Sequence, residues 1–145
     1  MLFGEHCARR CMPLMSNIRQ HVMRRALLIA TSVQTIAHAL WLAYAHLLAQ
    51  RGSTLGVLLF AVVPLAGYCA AALVPRRKVL VGTLVALPAA LLFAASNFAY
   101  WQLGHAVEFP GAGGALFVFG MSAPVCALLA AAGAGLACLS PYRPV

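Results

Sequence analysis

Four polar side chains inside one long apolar stretch are the first candidates for chemistry: Thr31, Gln34, Thr35 and His38. Their spacing is helical, so all four share one face of a helix. Hydroxyl, carboxamide and imidazole groups offer donors and acceptors without a fixed charge. Such a stripe suits a small polar guest, or hydrogen bonds to neighbouring helices. Inside a membrane it must face protein, because hydrocarbon supplies no partner. His46 lies two turns beyond His38.

Three prolines, Pro64, Pro88 and Pro124, each fall near the centre of a later apolar run. Proline lacks an N–H and frees the carbonyl four residues earlier, here those of Phe60, Leu84 and Gly120. One expectation is therefore a midplane binding site built from Thr31, Gln34, Thr35, His38, Pro64, Pro88 and Pro124. The competing expectation is structural: Gln34 and His38 bond to adjacent helices, each bond contributing about 0.6–2 kcal/mol. Proline is also common in membrane helices.

His105 and Glu108 share the last loop, and His46 can approach them from the first span. Two imidazoles and a carboxylate have the donor chemistry of a zinc or copper site. No motif spacing accompanies them, so no metal is expected; His46, His105 and Glu108 are the residues that would form such a site. His6, Cys7 and Cys11 near the start are treated the same way.

What the sequence lacks excludes more. It contains no Asp, and Glu only at positions 5 and 108, so no carboxylate lies within an apolar run to carry protons. A carboxylate pair, a phosphate-cradling loop and a serine–base dyad are all missing. A haem held between helices would need axial ligands, and only His38 is deep enough. No catalytic residue and no cofactor are expected. The size and four-span plan resemble the small multidrug-resistance exporters, whose mechanism rests on a Glu in the first span. This chain has Gln34 and His38 there instead.

The elements that position these residues follow from composition. Of 145 residues, 63% are hydrophobic and 8% charged, against about 25% charged in soluble domains. So few charges cannot solvate a fold of this size in water. Four stretches are long enough to cross a bilayer as helices: residues 26–49, 54–74, 79–101 and 114–139. The expectation is an all-α membrane protein, a four-transmembrane-helix bundle over residues 26–140. Residues 1–25 form a basic cytoplasmic segment. Leu14, Ile18 and Val22, with Arg19, Arg24 and Arg25, give that segment the pattern of a short interfacial helix.

The net charge of +8 is gathered in short clusters between apolar runs. Arg9, Arg10, Arg19, Arg24 and Arg25 precede the first span, Arg76, Arg77 and Lys78 separate the second from the third, and Arg143 follows the fourth. The first link has only Arg51, and residues 102–113 have no Lys or Arg. By the positive-inside rule both termini are cytoplasmic. Nucleic acid is not an expected partner, since that requires the charge on one water-exposed face. Tyr100, Trp101 and Tyr142 suit the lipid–water boundary.

Met12, Met15 and Met23 are alternative starts. The first apolar stretch runs on to Ala49 and is interrupted by Gln34 and His38, so retention as a span is expected rather than cleavage as a signal. Five cysteines lie in apolar runs or on the predicted cytoplasmic side, and no disulfide framework is expected.

Residues 24–33 and 76–85 share five of ten positions, the pattern a parallel two-plus-two duplication would leave. Ala86, Ala90 and Ala94, Gly67 and Ala71, and the run 130–135 put small residues at close-packing intervals. They point to a tight bundle or a homo-oligomer. The functional expectation is a small inner-membrane protein, embedded in the lipid bilayer, that acts as a non-enzymatic accessory, assembly or scaffolding subunit of a larger complex. The alternative is a small oligomeric transporter or channel with its site around His38.

Overall fold

The computed structural model describes the backbone of residues 4–47, 53–75 and 77–139, and side chains over 20–47, 56–75 and 77–139. The side chains of His6, Cys7, Arg9, Arg10, Cys11, Met12, Leu14, Met15, Ile18 and Arg19 lie outside the described residues. So do Ala49, Arg51, Arg76, Tyr142 and Arg143.

Five helices follow one another: α1 Gly4–Leu47, α2 Ser53–Ala72, α3 Lys78–Leu84, α4 Ala86–Gln102 and α5 Gly111–Leu139. No strand occurs among the described residues. Three helical stretches are long and apolar enough to cross a membrane: Gln20–Leu47, the combined Lys78–Gln102, and Gly111–Leu139. The fourth apolar stretch is shorter, Gly56–Ala72 within α2. The chain is helical without interruption from Gly4 through the first apolar stretch.

The expected span over 79–101 is divided into α3 and α4 at Val85, one turn before Pro88. The cause is local. Pro88 cannot donate to the Leu84 carbonyl, and the Val85 N–H tightens onto the Gly82 carbonyl at 3.1 Å. The Ala89 N–H then bonds the Val85 carbonyl at 3.3 Å, and the helix resumes. The similarity between residues 24–33 and 76–85 ends at this break, whereas α1 runs straight on. Pro64 and Pro124 lie inside α2 and α5, which stay continuous.

Small residues face inward and large aliphatics outward. Ala26, Ala30, Ala66, Ala70, Ala89, Ala90, Ala130 and Ala134 have no exposed surface, while Leu40, Val57, Leu116 and Leu128 are each at least 65% exposed. A soluble protein would invert this arrangement; helices in lipid associate through close van der Waals approach instead. α5 is the central element, packed on α2, α3 and α4, with α1 closing against α2 and α4. Gly67 lies on the Ala130 backbone, and Gly133 lies on the Pro64 carbonyl, where an added Cβ would have no room. The small-residue intervals in α2 and α5 are therefore one contact seen from its two sides.

At one end, Arg77 makes the turn into α3 in the left-handed region (φ 56°), a conformation costly for any residue but glycine. Lys78 donates Nζ–H to the Ala137 carbonyl at 3.3 Å, a cation on a carbonyl in the last turn of α5. At the other end, Asn97 donates Nδ2–H to the Phe109 carbonyl at 2.8 Å. This bond fastens the α4–α5 loop to α4 rather than bridging two spans.

Candidate functional site

The polar stripe on α1 splits into a buried pair and an exterior pair. Gln34 has no exposed surface and His38 is 3% exposed, whereas Thr31 is half-buried and Thr35 exposed. The Thr35 hydroxyl donates to the Thr31 carbonyl at 2.9 Å, so it is satisfied within its own helix. Gln34 reaches across the bundle and donates Nε2–H to the Val85 carbonyl at 3.5 Å. Gln34's partner is therefore the residue at the break, but the carbonyl used is that of Val85, which also receives the Ala89 N–H, and not the freed carbonyl of Leu84.

His38 Nδ1 lies 2.9 Å from the Gln34 carbonyl. A carbonyl only accepts, so Nδ1 carries the proton in this contact, and a neutral ring then leaves Nε2 as a bare acceptor. The ring meets Phe93 edge-on, with centroids 4.8 Å apart. Gln34 Oε1 and His38 Nε2 are buried without a hydrogen-bond partner among the described residues. Both are acceptors, so anything that joins them must bring an N–H or O–H.

The prolines serve other contacts. Pro64 holds its carbonyl against Gly133, Pro88 sets the break opposite Gln34, and Pro124 is exposed on α5. Cys126, at similar depth, is fully buried in an apolar cluster with Val63, Ala86, Ala89 and Ala130. Cys69, Cys126 and Cys138 are free thiols.

The largest concentration of aromatic side chains lies nearer the α4–α5 loop. A cavity of about 590 Å³ is lined by residues of α1, α2, α4, α5 and that loop, among them Trp41, Phe60, Phe93, Tyr100, Phe109 and Phe117. Phe60 and Phe93 stack at 4.3 Å, Trp41 and Tyr100 tilt together at 5.8 Å, and Phe109 meets Phe117 at 4.6 Å. The polar lining is Ser96, Asn97, Ser122 and Glu108, and Trp41 Nε1 is buried with no hydrogen-bond partner among the described residues. Gln34 and His38 line neither this cavity nor a second one of about 670 Å³ between α3, α4 and α5. Phe93 touches both worlds: its ring edge or face meets His38 on one side and the cavity on the other.

Beside the cavity, His46 Nδ1 and His105 Nε2 are 3.0 Å apart, and Tyr100 stacks on His105 at 4.2 Å. The approach of His46 to the last loop is thus present. Glu108 does not complete a trio with them, and the described residues hold no group of three metal-ligating side chains.

The chain matches no family model, no curated protein and no solved structure. Two neighbouring features mark the bundle, a closed polar pair and an aromatic cavity. The pair was visible in sequence as helical spacing. The cavity was not, because its rings come from five segments and only the shared property of aromaticity marks them.

Proposed function

We propose that this chain is a four-span protein of a bacterial-type inner membrane, with both termini in the cytoplasm. It serves as a non-enzymatic accessory, assembly or scaffolding subunit of a larger membrane complex. The observation that carries this reading is the burial of the Gln34–His38 pair. Gln34 and His38 are enclosed by helix contacts, with Gln34 committed to Val85 and His38 to Gln34 and Phe93. A transport pathway would need these groups accessible, and an enzyme would need a nucleophile or acid–base pair beside them.

Four spans rather than three follow if α2 crosses as well. Its 20 residues extend about 30 Å, the thickness of the hydrocarbon core. The positive-inside rule supports the orientation, and the Lys78–Ala137 contact keeps the basic α2–α3 link beside the C-terminal end of α5.

The test is isolation of the tagged chain at native expression level in a mild detergent. The reading expects a complex of fixed stoichiometry with other membrane subunits. A preparation containing only copies of this chain would contradict it. That result would favour the second reading, a small oligomeric transporter or channel, for which the cavity beside Phe93 is the supporting observation.

A further inference from the structure

We propose that the aromatic cavity between α1, α2, α4 and α5 is a binding site for an amphiphile carrying a positively charged ammonium head. The proposal stands on the cavity alone and holds whether or not the bundle belongs to a larger complex.

Volume comes first. About 590 Å³ is within the range of roughly 300–1,000 Å³ found for small-molecule sites, which are mostly apolar with a few placed polar groups. Six aromatic rings supply that apolar lining. Their faces also attract cations, because the ring quadrupole is negative above its plane. Trp41, Tyr100, Phe60 and Phe93 line it from three different helices, with Phe60 and Phe93 stacked and Trp41 tilted against Tyr100.

Charge then selects the guest. The chain carries ten Lys and Arg against two acids, yet no Lys or Arg lines this cavity and one of the two acids does. Glu108 makes no ion pair among the described residues, so its carboxylate is available to a guest's cation. An anionic guest would meet like charge at Glu108, whereas an ammonium head gains an ion pair there. The carboxylate is exposed, so that pair is partly screened and sets preference rather than bulk affinity. Trp41 Nε1–H adds a donor that needs an acceptor, which an ester or ether oxygen near the ammonium head supplies.

Two sources carry this chemistry: the ammonium head of a phospholipid from the adjoining leaflet, and a free lipophilic amine. The cavity reaches the lipid-facing surface at Val57 and Met121, so both have a route.

The experiment uses the full chain in nonionic detergent with Trp101→Phe, which leaves Trp41 as the one indole reporter of the two tryptophans. The probe is benzyltributylammonium, compared with its uncharged carbon isostere. The expected result is a saturable change in Trp41 emission with the cation. It should weaken about fivefold in Glu108→Gln, the scale of one partly exposed ion pair. Val57→Phe, which obstructs the mouth without removing a charge or adding an indole, should abolish saturation while leaving the melting temperature unchanged. Nanodiscs with and without phosphatidylethanolamine then identify the source. Competition by that lipid assigns the head group to the bilayer, and full probe binding in its presence assigns a free amine. Equal binding of the neutral isostere, or undiminished binding by Glu108→Gln, would overturn the proposal.

Discussion

Gln34 on α1 donates to the carbonyl of Val85, the single residue that separates α3 from α4. The polar side chain of the first span and the proline-induced break of the third are thereby one contact. At 3.5 Å the bond is long, and the same carbonyl also receives the Ala89 N–H. Most of what Gln34 contributes is therefore its volume in a fully closed space.

Two substitutions separate volume from polarity. Gln34→Leu keeps the volume and removes an unpaired acceptor, so its expected effect on stability is within about 1 kcal/mol. Gln34→Ala leaves a void and should cost about 2 kcal/mol. Thermal unfolding in detergent checks both. Equal losses in the two variants would show that the hydrogen bond, not the packing, holds this position.

His38 and Phe93 are coupled through their edge-to-face contact. Each truncation to Ala should destabilise by about 1–3 kcal/mol, and the double variant should lose less than the sum, by about 0.5–1.5 kcal/mol. A double-mutant cycle in the same detergent measures the coupling. Strict additivity would mean that the rings do not depend on each other.

The contact between α2 and α5 gives a controlled comparison. A methyl at Gly133 meets the Pro64 carbonyl, whereas one at Gly135 meets nothing. Gly133→Ala should therefore lower stability by about 1–3 kcal/mol, and Gly135→Ala should be neutral or slightly stabilising through helix propensity. Ala90, which has no exposed surface, should tolerate Leu no better, with an overpacking cost of about 1–3 kcal/mol. Melting temperatures of the three variants check the set.

Membrane orientation is tested separately. Reporters fused after Pro110 and after Val145 should report opposite sides, the first outside and the second in the cytoplasm. The same side for both would remove the four-span arrangement.

The elements were legible because lipid imposes a simple rule on them: apolar runs become helices. The break at Val85 was not legible, since Pro64, Pro88 and Pro124 lack the same N–H and yet α2 and α5 run on through theirs. The small residues of spans two and four announced a close approach but not each other, because spacing along one helix carries no address on another. The stripe's helical face was readable from positions 31, 34, 35 and 38. Its division was not, because burial depends on how α1 rotates against α2 and α4, and Thr35 ended outside. His46 and His105 illustrate the same limit. Their approach follows from topology, while the Tyr100 ring stacked on His105 depends on the exact turn that follows Gln102.

Closed inside the bundle, Gln34 and His38 line no aqueous path on the proposed reading. The most direct measurement is labelling of Gln34→Cys and His38→Cys, each in a background with the five native cysteines replaced, by a water-soluble maleimide in intact membranes. Both thiols should stay unmodified until the protein is unfolded, while Ala112→Cys at the exposed start of α5 reacts readily. Rapid labelling at position 34 or 38 in the folded protein would contradict the claim and make the stripe part of a conduit.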